Sequence, residues 1–293
     1  MTGVDLPGGP AVPGDHGPAV AAPSDPGRSP ASTGRDTAGR VGALVPFRIL
    51  AVGFGLLIAL TAIGGAAFAA ANLLVRTTET DTIEIAGSVE RVVVDVHGSV
   101  TIEPGAEDGA VIRRSSTFGL RRPRVRTVLE DGVLVVRVRC VGTVLCTNDV
   151  HIEVPRAAGA TVHASEVRVR GLSGDVRAES QGGSIRLHDL SGDVVAEVGG
   201  GEVSGDGLRS PSVRATVGAG AIDLTFAAAP ESIEADVTAG AIVIELPVTE
   251  ATYRIEVSAT SGESRSSVES DPDSPRLVRA HAATGDVEVR PAP

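Results

Sequence analysis

The chain has 293 residues and a net charge of −11 at pH 7, and all 26 of its basic residues are arginines. It contains no Trp, one Tyr and five Phe, which favours a narrow core filled by Val, Ile, Leu and Ala. Residues 77–293 hold 33 acidic residues and 21 Arg, a net charge of −12. Because proteins that bind nucleic acids present a basic surface, this balance argues against a nucleic-acid partner.

The first segment, 1–46, is rich in proline and glycine and has hardly any bulky apolar residue. Such a segment cannot bury enough apolar surface to offset the entropy that it would lose on ordering. We therefore predict a disordered tail over 1–46.

An uncharged run of 27 residues, 49–75, follows between Arg48 and Arg76. As a helix it would extend about 40 Å, more than the roughly 30 Å hydrocarbon core of a bilayer. Arginines precede the run and acidic residues follow it, so the positive-inside rule places the N-terminus in the cytoplasm. We predict one transmembrane helix over 47–76 and an extracytoplasmic domain over 77–293. A cleaved signal peptide fits less well, because its apolar core has only about 7–15 residues.

Eight apolar residues recur at nearly constant spacing in the second half of the chain. They are Val176, Ile185, Val194, Val203, Val213, Ile222, Ile233 and Ile242. Every second one is separated by 18 to 20 residues, enough for two short strands and two turns. Polar and apolar residues alternate around them, as in a strand with one buried face. The pattern predicts an all-β fold, a parallel β-solenoid (β-helix) with about 18–20 residues per coil.

Glycines precede most of these strands, where a sharp corner excludes a β-carbon. They are Gly174, Gly183, Gly192, Gly201, Gly220 and Gly240. A β-sandwich also alternates strands and turns, but the near-constant coil length favours stacking. We predict regular repeats over 172–290, in which residues 277–289 hold the closing coil in place.

Longer alternating segments over 82–170 predict irregular first coils that also cap the stack. Asp131 and Gly132 separate two of these segments and predict a β-hairpin. A cap is expected because an uncovered end offers unpaired strand edges to other chains.

Cys140 and Cys146 are the only cysteines. In an oxidising compartment outside the cytoplasm, we predict a structural disulfide between them. Closing so short a loop contributes only about 2 kcal/mol.

The densest basic segment contains six arginines that could bind an anionic partner. They are Arg113, Arg114, Arg121, Arg122, Arg124 and Arg126. Guanidinium groups bind phosphate through paired hydrogen bonds, which suggests lipid phosphate or a cell-wall polyanion as the ligand. A solvated strand face is the competing interpretation, because the last three alternate with uncharged residues.

No arrangement in the sequence indicates a catalytic residue, a cofactor or a metal site. The histidines lack zinc-ligand spacing, and GxSxG, SxxK and GxxxxGK motifs are absent. His188 and Asp189 are adjacent, but neighbouring side chains on a strand point apart. Four aspartates beside turns are interpreted as acceptors of backbone hydrogen bonds, since calcium-binding β-rolls need dense GGxGxD repeats. They are Asp175, Asp193, Asp206 and Asp286.

The order of these features resembles the bacterial putative-adhesin family of β-strand-repeat proteins of unknown function. The features are a Pro-rich tail, one apolar segment, alternating strands, a C-x5-C segment, and GDV repeats ending in TGDVEVR, over roughly 80–290. The resemblance implies a right-handed β-solenoid displayed at the cell envelope, with some relatives linked to envelope-stress sensing or attachment. It implies no catalytic residues.

The sequence therefore predicts a non-enzymatic, single-pass membrane protein for adhesion, binding or scaffolding at the bacterial envelope. Its expected partners are the membrane and a cell-wall or surface ligand. One alternative is a sensor of envelope stress that relays a signal through the cytoplasmic tail. A second alternative is a carbohydrate-active enzyme built on a β-helix, although the aromatic residues that line such clefts are missing.

Overall fold

The structure, a computed structural model, describes residues 54–55, 57–65, 76–119, 121–140 and 146–292. The predicted disordered tail lies outside them, as does most of the predicted membrane segment. Residues 54–55 and 57–65 are helical, with exposed apolar side chains such as Phe54 and Ile63. Within the described stretches, no helix has the length and apolar character needed to cross a bilayer.

From residue 76 onward, the described residues form strands and turns. The first nine strands are β1 (Thr77–Ile85), β2 (Arg91–Val96), β3 (Gly98–Pro104), β4 (Ala110–Phe118), β5 (Arg124–Glu130), β6 (Val133–Arg139), β7 (Cys146–Val154), β8 (Gly159–His163) and β9 (Glu166–Arg170). The others are β10 (Val176–His188), β11 (Val194–Leu208), β12 (Ser212–Phe226), β13 (Ser232–Leu246), β14 (Arg254–Ser261), β15 (Ser264–Ser266), β16 (Leu277–Thr284) and β17 (Val287–Pro291).

Strands β10 to β13 form four successive parallel coils. The eight apolar residues that revealed the repeat pair with one another in register across these strands. Each of them is at most 2% exposed. Parallel strands that stack their apolar rows in one core are what the 18–20-residue period predicted. The β-solenoid prediction is confirmed for these coils.

Each coil has two strand segments, which lie on either side of a corner. The first segments form a sheet that we call the first face, in the order β5, β6, β2, β8, β10, β11, β12, β13, β16 and β14. The second segments form the second face, in the order β1, β4, β7, β3, β9, β10, β11, β12, β13, β17 and β15. Both faces bury their apolar side chains, mainly Val, Ile, Leu and Ala, in one continuous core.

The coils do not stack in the order of the chain. The coil of β2 and β3 lies between the coil of β6 and β7 and the coil of β8 and β9. At the other end, β16 and β17 lie between β13 and the earlier strands β14 and β15. Strands β14 and β15 therefore form the outermost coil. The segment that follows them in the chain, β16 and β17, joins this coil to the rest of the stack.

The beginning of the domain closes the stack with antiparallel strands. Strand β5 pairs with β6, β4 pairs with β7, and β1 pairs with β4. Positive φ values of 49° at Asp131 and 76° at Gly132 form the tight turn between β5 and β6. The predicted hairpin is confirmed.

The corner residues of successive coils stack in a single column, which we call the corner column. In spatial order it contains Asn148, Gly98, Ser165, Gly183, Gly201, Gly220, Gly240, Gly285 and Gly262. The glycines in it have φ values between 124° and 149°, a region that other residues rarely adopt. Glycine therefore permits the sharp bend from the first face to the second.

Candidate binding surfaces

A row of polar side chains crosses the outer side of the first face, with one residue from each strand. We call this the polar row. In the order of the strands it contains Arg126, Arg137, Asp95, His163, Glu179, Glu197, Thr216, Asp236, His281 and Ser258. Side chains at one register position point to the same side of a sheet, so the row forms a continuous polar surface.

A groove of about 570 Å³ lies beside the corner column and across the middle of the polar row. We call it the corner groove. Its polar lining includes Asp95, His163, Glu179, Glu197 and Thr216. His163 Nδ1 lies 3.0 Å from Glu179 Oε2. Arg177 contacts Glu179 and Glu197 at 2.8 Å each, so its guanidinium holds both carboxylates in place.

The structure divides the six predicted arginines between different surfaces. Consecutive residues of β4 point to opposite sides, so Arg113 lies outside whereas Arg114 points inward. Arg114 pairs with Asp81 and its side chain is only 12% exposed. The inference that all six form one anion-binding patch is therefore wrong, because alternation along a strand separates neighbours.

Three more of the six lie near the start of β5. Arg121 and Arg122 are exposed in the turn before that strand, and Arg122 Nη1 lies 3.8 Å from the Glu79 carboxylate. Arg124 begins the strand itself. Partial neutralisation by Glu79 leaves Arg121 and Arg124 as the stronger candidates for an anionic ligand.

Arg124 and Arg126 join two arginines outside the predicted segment. The antiparallel register places Arg124 opposite Arg139 and Arg126 opposite Arg137. All four residues are exposed. Asp95 lies 3.5 Å from Arg139, and the other three form no ion pair within the described residues. We call these four residues the arginine hairpin.

Glu103, His151 and Glu153 form a cluster on the outer side of the second face, with ligand atoms within 4.8 Å of one another. His151 Nε2 lies 2.8 Å from Glu103 and 3.6 Å from Glu153. Arg113 pairs with Glu153, and its hydrogen bond lowers the pKa of that carboxyl below its ordinary value. A metal ion would be repelled by this guanidinium, so the cluster is better described as an ion-pair network.

His188 contacts two carboxylates, contrary to the expectation that it points away from its neighbour. Its Nε2 lies 3.1 Å from Asp189 and its Nδ1 lies 3.0 Å from Asp206. Asp189 has a φ of 50°, because it follows the end of β10 and leaves the strand conformation. The rule that adjacent side chains point apart therefore does not apply there.

Two of the turn aspartates accept backbone hydrogen bonds, as predicted. Asp175 Oδ1 accepts from the backbone N–H of Asp193 at 3.1 Å. Asp286 Oδ1 accepts from the backbone N–H of Glu263 at 2.9 Å. Each carboxylate therefore links a turn to the turn of a neighbouring coil.

Cys140 and Cys146 form the predicted disulfide, with Cα atoms 6.1 Å apart. Asn148, which is completely buried, occupies the adjacent corner. Its Nδ2 donates to the backbone carbonyl of His97 at 3.0 Å, and its Oδ1 accepts from Ser116 Oγ at 2.9 Å. Its Nδ2 also lies 3.3 Å from Cys140 Sγ, so this buried amide links the corner to the disulfide.

Residues 149–290 match the family model described as Toastrack DUF4097. These residues belong to the Toastrack family. The resemblance to putative adhesins of unknown function, which the sequence indicated, is thereby confirmed. The match begins within β7, so β1 to β6 precede it.

Three solved bacterial proteins are similar to this chain at low sequence identity. A putative adhesin from Bacteroides fragilis has a TM-score of 0.44 and 11% identity, covering 74% of this chain and 97% of that one. A putative adhesin from Parabacteroides distasonis has a TM-score of 0.36 and 13% identity, covering 73% and 97%. A putative cell adhesion protein from Clostridium sporogenes has a TM-score of 0.33 and 11% identity, covering 74% and 100%. No curated protein matches the chain.

The candidate surfaces draw on both the matched Toastrack residues and the strands before them. Toastrack strands β8, β10, β11 and β12 provide most of the corner groove, whereas the arginine hairpin lies entirely in β5 and β6. The sequence contained the signal for the hairpin. A two-residue turn at Asp131 and Gly132 fixes the register and so brings Arg137 and Arg139 opposite Arg126 and Arg124.

Proposed function

We propose that the chain is a non-enzymatic, single-pass membrane protein that displays its Toastrack solenoid outside the cell. Its role there is adhesion, binding or scaffolding at the bacterial envelope. The polar row is the observation that carries this proposal. Each strand of the first face adds one outward polar side chain to a continuous surface, which suits an extended partner with a repeating structure.

The corner groove is the part of this surface where we place the partner. It extends across strands β2, β8, β10, β11 and β12, so a ligand lying in it would contact several coils at once. The carboxylates of Glu179 and Glu197 are held by Arg177, which reduces the conformational entropy that they lose on binding. Carboxylates in such a groove favour a ligand with hydroxyl or amine donors.

Membrane anchoring rests on the sequence. The uncharged run 49–75 is long enough to span, and the arginines before it favour a cytoplasmic N-terminus. Full-length protein with a tag at each end tests this. We expect membrane-bound protein that resists alkaline carbonate, with only the C-terminal tag removed by protease from intact cells. Loss of both tags, or release by carbonate, would refute the anchored topology.

Retention on cell-wall fragments tests the groove. We expect the full-length protein in detergent to bind envelope fragments of the bacterium that produces it. The double variant Glu179→Gln and Glu197→Gln should weaken this binding about tenfold or more. The matched control, Glu202→Gln with Glu288→Gln, changes two carboxylates on the second face. Equal loss in both variants, or no loss in either, would contradict a binding role for the groove.

A further inference from the structure

We propose that the arginine hairpin binds the phosphate groups of anionic phospholipids and docks this end of the domain on the bilayer. The proposal rests on the proposed membrane anchoring. It concerns the β5 and β6 end of the polar row, next to the corner groove, and it names a ligand class for that end.

The charge of the hairpin is unbalanced. Arg124 faces Arg139, and Arg126 faces Arg137, and like charges directly opposite on antiparallel strands destabilise a sheet. Asp95 is the single acid within ion-pair distance among the described residues. Leu120 and residues 141–145, which adjoin these strands in the sequence, include no acidic residue. A bound anion would relieve the repulsion between the arginines.

The position of the hairpin points to a lipid source of phosphate. Thr77, the first residue of β1, pairs with Phe118 at the end of β4, and Phe118 also pairs with Cys146. Cys146 is joined to Cys140, the residue that follows Arg139. The Arg124–Arg139 pair therefore lies at the corner where the chain enters the domain.

Only Arg76 separates Thr77 from the apolar run 49–75. One extended residue spans at most about 3.6 Å, so an inserted run would keep the start of β1 at the membrane surface. The hairpin arginines at the same corner would then face the headgroups. Guanidinium groups suit this ligand, because their paired N–H donors match two oxygens of a phosphodiester.

A tryptophan reporter tests the docking in the full chain. The protein has no Trp, so Val128→Trp, on the outer side of β5 next to Arg126, provides a unique fluorescence signal. The full-length protein is reconstituted into vesicles of phosphatidylcholine, with or without phosphatidylglycerol. Both kinds of vesicle carry lipids with a nitroxide on the headgroup, which quench the tryptophan when it lies at the surface.

We expect stronger quenching in the anionic vesicles, and weaker quenching as salt is added. Changing all four hairpin arginines to Gln should reduce the quenching to its level in phosphatidylcholine. Arg126→Gln alone, which perturbs the sheet less, should shift the docking equilibrium about fivefold. The control combines Arg214→Gln, Arg254→Gln and Arg279→Gln, which remove arginines paired with glutamates on the same face, and should leave the quenching unchanged.

Several results would overturn the proposal. One is equal quenching in neutral and anionic vesicles. Another is unchanged quenching of the fourfold variant together with its self-association. The arginines would then serve to prevent other chains from pairing with the exposed edge of β5. A third is a loss of quenching when inorganic phosphate is added, with no such loss in chloride of equal ionic strength. The site would then bind free phosphate rather than lipid phosphate. Release of the wild-type protein from vesicles by carbonate would instead refute the anchoring and so the proposed function.

Discussion

The carbonyl oxygen of Gly183 lies 1.8 Å from the position that a β-carbon on Gly201 would occupy. Gly201 also has a φ of 138°. Both the space and the backbone conformation at this corner therefore exclude any side chain. The same relationship recurs along the corner column, where Gly220 faces the carbonyl of Gly201 and Gly240 faces that of Gly220.

Gly201→Ala should lower the free energy of unfolding by about 3 kcal/mol or more, because it adds both strain and a clash with backbone. Urea unfolding followed by circular dichroism measures this. The neighbouring Gly200→Ala is a matched control, since its nearest neighbour, the carbonyl oxygen of Ala219, lies 3.9 Å from the added carbon. Similar losses in the two variants would contradict a specific role for the corner column.

Asn148→Ala should destabilise the domain by about 2 kcal/mol, because it leaves the His97 carbonyl and the buried Ser116 hydroxyl without their partner. Ser116→Ala alone should cost less. A double-mutant cycle on urea unfolding should give a coupling energy of about 1 kcal/mol between the two residues. Strict additivity would indicate that their hydrogen bond does not contribute to stability.

Cys140→Ala combined with Cys146→Ala should lower stability by about 2 kcal/mol, because the closed loop is short. The wild-type protein treated with a reducing agent should lose a similar amount, and the double variant should be insensitive to that agent. Thermal unfolding with and without reductant makes the comparison. A loss for the reduced protein several times larger would show that the disulfide fixes more than a local loop.

Asp223→Asn should raise stability at pH 7. Partial burial, and then the nearby charges of Glu245 and Glu202, raise the pKa of Asp223 above its ordinary value, whereas Arg290 opposes the shift. With the folded-state pKa raised, ionisation costs stability at every pH above that pKa. The gain should be below about 1 kcal/mol, because the group is largely exposed, and should vanish below about pH 4. A variant that is less stable at pH 7 would contradict this assignment.

Glu245→Gln should have the opposite effect. A hydrogen bond from Arg290, strengthened by one from Thr225, lowers the pKa of Glu245 below its ordinary value. This pair therefore stabilises the fold above pH 4.5, and the contribution is lost as pH falls through the lowered folded-state pKa. We expect a loss of about 1 kcal/mol at pH 7 that disappears in acid, measured by thermal unfolding across that range. A loss independent of pH would rule out this linkage.

Local pattern was sufficient for the repeating part of the fold. Residues such as Val194 and Ile222 could be assigned to the core because period-two alternation and a near-constant coil length leave one arrangement that buries them all. The Asp131–Gly132 turn was equally clear, because its residue types adopt positive φ readily. The candidate site was harder. The sequence predicted that Arg114 lies in one exposed patch with Arg113, whereas alternation along β4 turns Arg114 inward beside Asp81.

The sequence by itself determined the β-solenoid, its coil length, its buried row and its disulfide, since each depends on residues close together in the chain. Only the tertiary structure decided the order in which the coils stack, with β2 and β3 inserted before β8, and β16 and β17 inserted before β14. A parallel coil presents equivalent hydrogen-bonding edges on both sides, so local sequence does not specify which coil occupies each edge. The groove and the ion-pair networks depend on that choice, because they form between residues of different coils.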